Sequence, residues 1–440
     1  MSTGARQNPR STLWTPGRRG VLAAGAALAG TGLTAACGGG DSGGGDASLR
    51  ASWYGGAPVN DAMKAATAAF TTANPETSVS TEFAAFADYW DKLATQTAGG
   101  TGPDVFRMSM SYFAQYAQRG ALLDLTDAVP GTIDTSTLDE GVAGSGEIAD
   151  GLYGIGQSSI THAVFTDTTA LQAVGATPPA TGWTWQEFGE FARSYASSTP
   201  DGVWGTQDAG GAVQIFEVYS RQNGSPVFAD DGTLATSEDL IAQWLDMWDQ
   251  LRRDGAAPPG DVTSEASAFE TSVLVTGKAP VLFGWVQQIT FYQPLTDHVV
   301  DIVGVPAGDG GPLEGQFVKA LDLWTIAAST KNPDAAQALV NFLVNDEAAI
   351  KAIGVTLGVP PSQQARDLLA ADPTSATGKC IAFVEDAQDQ VGPSPAAWPA
   401  GYSDFSDAFA RANEDIAFGK ATPSQAAAAL VETAQGALGS

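Results

Sequence analysis

The sequence predicts an α/β protein with two lobes, each built on a doubly wound, mostly parallel sheet flanked by helices. Three observations lead to this prediction. The chain has 440 residues, which is more than one ordinary hydrophobic core accommodates. A hydrophobic content of 44% excludes wholesale disorder. From residue 49 onward, short apolar runs alternate with helical patterns, and this β-α-β-α-β order is typical of a parallel sheet.

The first 36 residues have the character of a leader. They contain four arginines and no acidic residue, whereas the whole chain has 49 acidic and 21 basic residues. A weakly apolar run follows the pair Arg18-Arg19 and ends in Leu-Thr-Ala-Ala-Cys at residues 33–37, which resembles a bacterial secretory signal with a lipobox. We therefore predict a signal peptide over residues 1–36, a lipid on Cys37 that holds the protein at the outer face of the bacterial cell membrane, and a flexible tether over residues 37–47.

The leader departs from its usual pattern in two ways. Thr34 occupies the position three before the cysteine, where lipoproteins favour Leu, and Phe-Leu does not follow the paired arginines. Export by the Sec route and by the twin-arginine route therefore both stay open. A transmembrane anchor is the alternative, but the 17 residues 20–36 are shorter than the roughly 20 apolar residues that a span requires.

The composition argues against several kinds of site. A net charge of −28 does not suit nucleic-acid binding, which needs clustered Lys and Arg. With only His162 and His298 and no cysteine cluster, we expect no metal site, and the lack of a Walker motif predicts no nucleotide cofactor. Cys380 is the one cysteine left after removal of the leader and lipid attachment, and its apolar neighbours predict a buried thiol.

The first βα units follow from the alternation of patterns. Residues 49–53 predict a strand, and Asn60 stands where it could cap the next helix, which Asn74-Pro75 ends. Residues 79–83 predict a second strand, and a helix around residues 89–98 follows it. These repeats predict a parallel sheet that begins near Ser48.

The stretch from Gly102 to Thr126 is the unit around which the rest is organised. Residues 104–108 form a short apolar run that fits a strand buried on both faces. Ser109, Met110 and Ser111 follow as a predicted loop, and apolar residues recur at helical spacing from Tyr112. Open α/β sheets bind ligands at the carboxyl ends of their strands, so this loop is a predicted ligand contact.

Two signals stand out beyond residue 150. Thr184 and Glu187 have the spacing of a capping box, and the neighbouring Trp183 and Trp185 are predicted to pack in the core. Asn332-Pro333-Asp334 predicts the start of another helix, because Pro has a preset φ at the first helical position.

Several segments occur in an order that carries a resemblance to a known family. They are AAFTTANPETSVSTEF, DYWDKLATQTAGG, GPDVF and YFAQYAQRGALLDLT between residues 68 and 126, TGKAPVLFGW at 276–285, and KNPDAA at 331–336. Together they resemble the family 1 extracellular solute-binding proteins of ABC sugar importers, the group that includes the maltose-binding proteins. No single segment is diagnostic, but their order is.

The resemblance implies a two-lobed periplasmic-binding-protein fold of type II. In that fold the chain leaves the first lobe along a crossover at residues 150–167 and returns along another at residues 313–330. The predicted first lobe comprises residues 48–156 and 325–366, and the predicted second lobe comprises residues 157–324 and 367–440.

The resemblance also implies a sugar site in the cleft between the lobes. Sugar sites combine aromatic faces for pyranose C–H surfaces with fixed polar groups for hydroxyls. The predicted contacts from the first lobe are Trp53, Met108, Ser109, Ser111 and Tyr112. The predicted contacts from the second lobe and the crossovers are Gln157, Ser159, His162, Gln214, Glu217, Arg221, Trp285, Gln287, Gln288, Lys319, Asp322 and Trp398.

Several of these assignments have alternatives. Gln214, Glu217 and Arg221 share one helix face, which is either a sugar contact or a solvated surface with a Glu217–Arg221 pair worth only ~0.2–0.5 kcal/mol. Trp398 in the Pro-rich loop 392–402 either lines the cleft or packs. Core packing or a satisfied surface polar group is the alternative for each of the others.

The predicted function is the capture of a carbohydrate, an oligosaccharide by preference, outside the cell and its delivery to the permease subunits of an ABC importer. The protein would be a monomer, would act by hinge closure and would have no catalytic residues. One alternative is a secreted carbohydrate-active enzyme with paired carboxylates in an aromatic cleft. Another is the same fold with a non-sugar solute. The sequence predicts neither the sugar nor its linkage.

Overall fold

The computed structural model describes residues 47–369 and 371–438. The predicted signal peptide and Cys37 lie outside the described residues. Ala47, predicted as the last tether residue, is instead the first residue of a strand. Among the described residues, no helix is both long and apolar enough to cross a membrane.

The described residues alternate between strands and helices. The strands are β1 (Ala47–Tyr54), β2 (Thr77–Ala84), β3 (Val105–Ser109), β4 (Glu147–Ile148), β5 (Gly151–Leu152), β6 (Ile155–Gly156), β7 (His162–Asp167), β8 (Val281–Trp285), β9 (Val300–Val303) and β10 (Asp322–Ile326). The helices are α1 (Ala57–Ala73), α2 (Phe86–Ala98), α3 (Met110–Gln118), α4 (Glu140–Ala143), α5 (Thr168–Ala173), α6 (Trp185–Ser197), α7 (Val213–Gln222), α8 (Glu238–Arg253), α9 (Gly260–Glu265), α10 (Ile289–Tyr292), α11 (Pro333–Asn345), α12 (Glu347–Ile353), α13 (Gln363–Leu369), α14 (Ala376–Gln388), α15 (Tyr402–Ala417) and α16 (Pro423–Ala437).

The first sheet has the strand order β2-β1-β3-β10-β6. β1 pairs in parallel with β2 and β3, as predicted, whereas β10 runs antiparallel to both β3 and β6. Asp322 at the start of β10 lies opposite Ser109 at the end of β3. Tyr54 ends β1 at the same edge, so Tyr54, Ser109 and Asp322 all lie at strand ends on one side of the sheet.

One hydrophobic core lies between the first sheet and helices α1, α11 and α12. Trp53 is fully buried in it, and its indole nitrogen donates a hydrogen bond of 3.0 Å to Oδ1 of Asn60. Two predictions are therefore corrected. Trp53 is a core residue and not a ligand contact, and α1 begins after Gly56, with Asn60 inside the helix and bonded to Trp53.

The second sheet has the order β8-β7-β9 and is antiparallel throughout. The prediction of a mostly parallel sheet is wrong here. A short apolar run such as residues 281–285 has the same pattern in a parallel and an antiparallel sheet, so the sequence could not show strand direction. The described residues all belong to one compact unit, and the division into two lobes stays a prediction.

The two crossovers contact each other. The first crossover is not one long strand but comprises β5, β6 and β7, because residues 157–161 leave the first sheet before β7 joins the second. In that gap Ile160 and Lys319 of the returning crossover exchange backbone hydrogen bonds of 3.0 and 3.1 Å, and Ser159 N donates to Val359 O at 2.7 Å. The two crossovers are therefore hydrogen-bonded to each other at Ile160 and Lys319, between the two sheets.

Several local predictions are confirmed. Thr184 and Glu187 form the capping box of α6, and Trp183 is buried. α11 starts at Pro333, and the Cys380 thiol is buried. The predicted loop at residues 109–111 is corrected, because α3 already starts at Met110 and the Ser109 hydroxyl caps it.

Candidate functional site

A cavity of about 450 Å³ opens beside the end of β8. This volume lies within the ~300–1,000 Å³ of small-molecule sites. Its lining combines aromatic rings with side-chain amides, including Phe269, Phe283, Trp285, Tyr292, Gln214 and Gln288. Three of the predicted contacts therefore share one concave surface, which makes this cavity the candidate site.

Trp285 is the half-buried last residue of β8. Its backbone N–H donates to Oε1 of Gln288 at 2.9 Å, which ends the strand and fixes both residues. A Cβ on Gly284 would lie 2.2 Å from that amide oxygen, so a larger residue there would displace the Gln288 side chain from this bond. The ring of His162 lies 4.2 Å from the Trp285 ring and supports it from inside the protein.

His162 is itself fully buried, which corrects its prediction as a ligand contact. Its other neighbour is the ring of Phe317, with centroids 5.0 Å apart. Burial, assisted by the positive charge of Arg221, lowers the pKa of His162 to about 3. The imidazole is therefore neutral at physiological pH and serves as packing behind Trp285.

The polar part of the lining is held by internal bonds. Gln207 accepts a hydrogen bond of 3.0 Å from the backbone N–H of Phe283. The Asp208 side chain, at 0% exposure, pairs with Arg252 at 2.6 Å and also accepts from the Asn413 amide. The charge of this carboxylate is consequently neutralised within the protein. Gln214 at the start of α7 is half-buried, so its amide is partly accessible.

The segment 392–402 lies against the returning crossover and α7, and basic side chains hold it there. Nζ of Lys319 donates to the carbonyls of Pro395 and Ala396 at 3.2 and 3.0 Å. Arg221 donates to Pro393 O at 2.8 Å and to Gly315 O at 2.9 Å. We call this segment with Arg221, Glu217 and Lys319 the latch.

Glu217 and Trp398 complete the latch. Nε1 of Trp398 donates to the Glu217 carboxylate at 3.2 Å, and the Trp398 ring stacks on Tyr402 at 4.0 Å. Burial raises the pKa of Glu217 and lowers that of Lys319 to about 8, while the attraction between the two groups opposes both shifts. Lys319 is fully buried, and Glu217 and Trp398 are nearly so. Their prediction as ligand contacts is therefore corrected.

Arg221 bonds to backbone carbonyls, so the predicted alternative of a Glu217–Arg221 ion pair is not observed among the described residues. The latch reaches the cavity through a short series of ring contacts. Phe317 lies 5.4 Å from the Arg221 guanidinium and 5.0 Å from His162, which in turn supports Trp285.

A second group of predicted residues lies at the edge of the first sheet. The Asp322 carboxylate forms an ion pair of 2.8 Å with Arg107 and accepts a hydrogen bond from the Tyr54 hydroxyl. Burial raises the pKa of Asp322 and lowers that of Arg107. Asp322 is thus bound internally, as a charge inside a strand requires.

Tyr112 belongs to an aromatic wall beside this ion pair. Its ring stacks on Trp90 at 4.1 Å, and Tyr54 and Phe86 pack against Trp90 at 5.5 and 5.6 Å. Sequence reasoning missed Trp90, Tyr54, Phe86 and Arg107 as members of this edge. The segment DYWDKL contains a signal in its paired aromatic residues, but its spacing predicts only a helix.

The remaining predicted residues have structural roles. Met108 is fully buried in the core, Ser109 caps α3, and Ser111 is half-buried in its first turn. Ser159 donates to Asp139, and this carboxylate also pairs with the buried Arg366 at 2.7 Å. The full burial of Met108 and Ser159 corrects the predictions for these two residues, and the assignment of Ser109 as a ligand contact stays a prediction.

Gln157 and Gln287 are less fully bonded. The Gln157 amide nitrogen donates to Leu357 O at 3.3 Å, but its buried oxygen has no hydrogen-bond partner among the described residues. Gln157 is 7% exposed, and its assignment as a ligand contact stays a prediction. Gln287 is half-buried and follows Trp285 by two residues, and its oxygen also lacks a partner there.

Comparisons with known proteins bear on this arrangement. Residues 56–350 match the family described as bacterial extracellular solute-binding protein. An uncharacterized lipoprotein in the oleD 5′ region of Streptomyces antibioticus is 25% identical over 332 residues, which cover 72% of this chain and 70% of that protein.

Solved structures match almost the whole chain. A family 1 extracellular solute-binding protein from Alicyclobacillus acidocaldarius is 30% identical, with a TM-score of 0.69 over 89% of this chain and 98% of that one. A Listeria monocytogenes ABC substrate-binding protein in complex with cycloalternan is 20% identical, with a TM-score of 0.75 and the same coverage. A Yersinia enterocolitica oligogalacturonide-binding protein with digalacturonic acid is 21% identical, with a TM-score of 0.76 over 89% and 98%.

Proposed function

The chain belongs to the bacterial extracellular solute-binding protein family, and from this we propose that it captures a carbohydrate outside the cell and delivers it to the permease subunits of an ABC importer. The observation that carries the proposal is the cavity beside Trp285. A half-buried indole, braced on one side by His162, offers an apolar face, and the amides of Gln214 and Gln288 lie in the same lining. This combination suits a pyranose ring.

The ligands of structural relatives support the same substrate class. The Listeria protein holds cycloalternan, and the Yersinia protein holds a digalacturonic acid. Both share only the fold with this chain, so their ligands do not identify the sugar that this chain binds. An oligosaccharide is the size of solute that we propose.

We propose that capture works by hinge closure. In this mechanism two lobes rotate about the crossovers, and a sugar that touches both lobes stabilises the closed form by its differential contacts. The two crossovers pair with each other at Ile160 and Lys319 where they run between the two sheets, which suits a hinge. The aromatic wall at Tyr112 and Trp90 would then form the surface that faces the sugar from the first lobe.

The cellular arrangement is also part of the proposal. A lipid on Cys37 would hold a monomer at the outer face of the membrane, near the permease. The lipoprotein from Streptomyces antibioticus supports this assignment.

A thermal-shift panel of mono- and oligosaccharides tests the proposal. A bound sugar at 100 times its dissociation constant should stabilise the folded protein by ~2.7 kcal/mol. Chromatography of the recovered sugar separates binding from catalysis, because a transport protein returns the sugar unchanged whereas a carbohydrate-active enzyme shortens it. A panel in which no sugar shifts the melting temperature, while another class of solute does, would refute the carbohydrate assignment.

A further inference from the structure

The lining of the candidate cavity is uneven in charge. It contains two carboxylates, Asp208 and Glu270, and no Lys, Arg or His among the described residues. Asp208 is neutralised by Arg252, but Glu270 is exposed and forms no ion pair with a described basic residue. A solute in this cavity therefore meets an uncompensated negative charge and no positive one.

The basic side chains near the cavity are already engaged. Lys319 donates to two backbone carbonyls of the latch, and Arg221 donates to two more. At the edge of the first sheet, Arg107 is paired with Asp322. Each of these three cations is bound by protein oxygens, so none is free to neutralise an acidic ligand.

The surface next to the cavity is also negatively charged. A second trough shares Gln207 and Asp208 with the cavity, adds Glu414 of α15, and has no basic residue in its described lining. Arg411 is exposed on the same helix but lines neither the trough nor the cavity.

The aromatic wall is acidic too. Burial raises the pKa of Tyr112, and the nearby carboxylates of Asp407, Asp404 and Asp91 raise it further. Carboxylates therefore also lie near the aromatic wall.

From this arrangement we infer that the site selects against negatively charged sugars and accepts neutral or cationic glycans. The inference rests on the proposed function and narrows its substrate class. An acidic sugar would lose hydration on entering without gaining a cationic partner, and like charges placed together oppose binding. The fold does not decide this property, because the Yersinia relative holds a digalacturonic acid.

Matched sugars test the inference on the purified protein. Each pair keeps one backbone and differs only at C6, as galactobiose and digalacturonic acid do, and the panel covers galactose, glucose and mannose backbones. A third member of each set carries an amine in place of one hydroxyl. Calorimetric titration at low ionic strength should show the uronate binding at least tenfold more weakly than its neutral partner. Added salt should narrow that gap, because it screens the repulsion.

Two charge-reversal variants test whether the weaker binding of uronates is caused by a residue of the cavity. Glu270→Lys changes an exposed residue of the lining, and Glu265→Lys makes the same change in net charge at an exposed residue outside it. Glu270→Lys should raise the affinity for the uronate several-fold relative to the neutral sugar. Glu265→Lys should leave that ratio unchanged.

The possible results separate the two proposals. A uronate that binds as tightly as its neutral partner overturns the charge inference but leaves the carbohydrate function standing. Equal effects of the two variants also overturn it, because the discrimination would then come from net charge and not from the cavity. A panel in which no sugar of any charge binds overturns both proposals together.

Discussion

Nε1 of Trp398 donates a hydrogen bond of 3.2 Å to the carboxylate of Glu217, which lies 181 positions earlier in the chain. This bond joins the segment before α15 to α7, and Lys319 supports the same segment from the crossover. It is the contact through which the latch satisfies a buried acid.

Replacing Trp398 with Phe should separate packing from hydrogen bonding in the latch. A Phe ring retains the stacking on Tyr402 but leaves the buried Glu217 carboxylate without its donor, which should destabilise the protein by about 1–3 kcal/mol. Urea unfolding measures the change. The double variant Trp398→Phe with Glu217→Leu should recover part of the loss, because no unsatisfied acid remains. A double variant as unstable as the sum of both singles would show that the hydrogen bond is not the cause.

Lys319→Met should destabilise the protein at pH 7 by about 1–3 kcal/mol, because it leaves two carbonyls without a donor and removes the larger of the two positive charges that act on Glu217. Lys331→Met, at an exposed lysine, is the matched control. Chemical denaturation of both variants measures the difference. Equal stability of the two would contradict the role given to Lys319.

The pH dependence of the same variant extends this prediction to the titration of Lys319. Its pKa is about 8 in the folded protein, below the usual 10.5, so the unfolded chain binds more protons between these values. Stability contributed by this group therefore rises as pH increases above 8. Between pH 7.5 and 9.5 the wild type should gain about 1–2 kcal/mol relative to Lys319→Met. Parallel stability curves over this range would show that the buried lysine does not lose its proton there.

His162 should make the protein sensitive to acid. Because burial lowers its pKa to about 3, the unfolded chain binds an extra proton between pH 6.5 and 3, and stability falls as pH decreases through that window. His162→Phe keeps a ring between Trp285 and Phe317 but removes the titration. The wild type should lose ~1.4 kcal/mol per pH unit more than the variant between pH 6 and 4. Melting curves across this range check the slope, and the same acid sensitivity in both proteins would assign it to other groups.

Trp285→Ala should weaken sugar binding more than it weakens folding. An indole buries ~150–250 Å², but only one of its faces would contact the sugar. At ~25 cal/mol per Å², the loss of binding free energy is about 2–3 kcal/mol, which raises Kd roughly thirty- to a hundredfold. Calorimetry with the best sugar of the panel measures this loss. Trp185→Ala is the control, because Trp185 is likewise half-buried but packs against Phe283 and Trp244. Unchanged affinity with a large fall in melting temperature would make Trp285 a core residue.

Cys37→Ala should release the protein from the membrane fraction into the medium, since the acylated cysteine is the predicted anchor. Immunoblots of the two fractions measure this, with Cys380→Ser as control because that thiol is buried. A Cys37→Ala protein that stays with the membrane would refute the lipid anchor.

The sequence correctly predicted those helix ends and strand pairings that depend on residues close together in the chain. The capping box at Thr184, the helix start at Pro333 and the parallel pairing of β1 with β2 and β3 depend on neighbouring residues and on hydrophobic spacing, which the sequence displays directly. Strand direction in the second sheet does not depend on such spacing. For that reason the prediction was right for the start of the first sheet and wrong for the second.

The candidate site was harder to predict because its members differ in burial more than in residue type. Trp53 and Trp285 both end or nearly end a strand, yet Trp53 points into the core and Trp285 lines a cavity. Glu217 was predicted as a ligand contact because it shares a helix face with Gln214 and Arg221. Lys319 was predicted because a charge in an apolar run needs a partner, but the partners of both groups belong to the segment 392–402. A sequence shows that such a charge needs a partner and cannot show whether the partner is solute or protein.

The position of β10 has a consequence for how the protein is made. β10 fills the space between β3 and β6, although residue 322 is synthesised more than two hundred residues after β3. Early pairing of strands so distant in sequence is slow, because loop closure must precede the contact. A nascent chain that has not yet reached residue 326 cannot complete its first sheet and exposes the unpaired flanks of β3 and β6. We therefore expect the first sheet to be completed only after most of the chain has been synthesised.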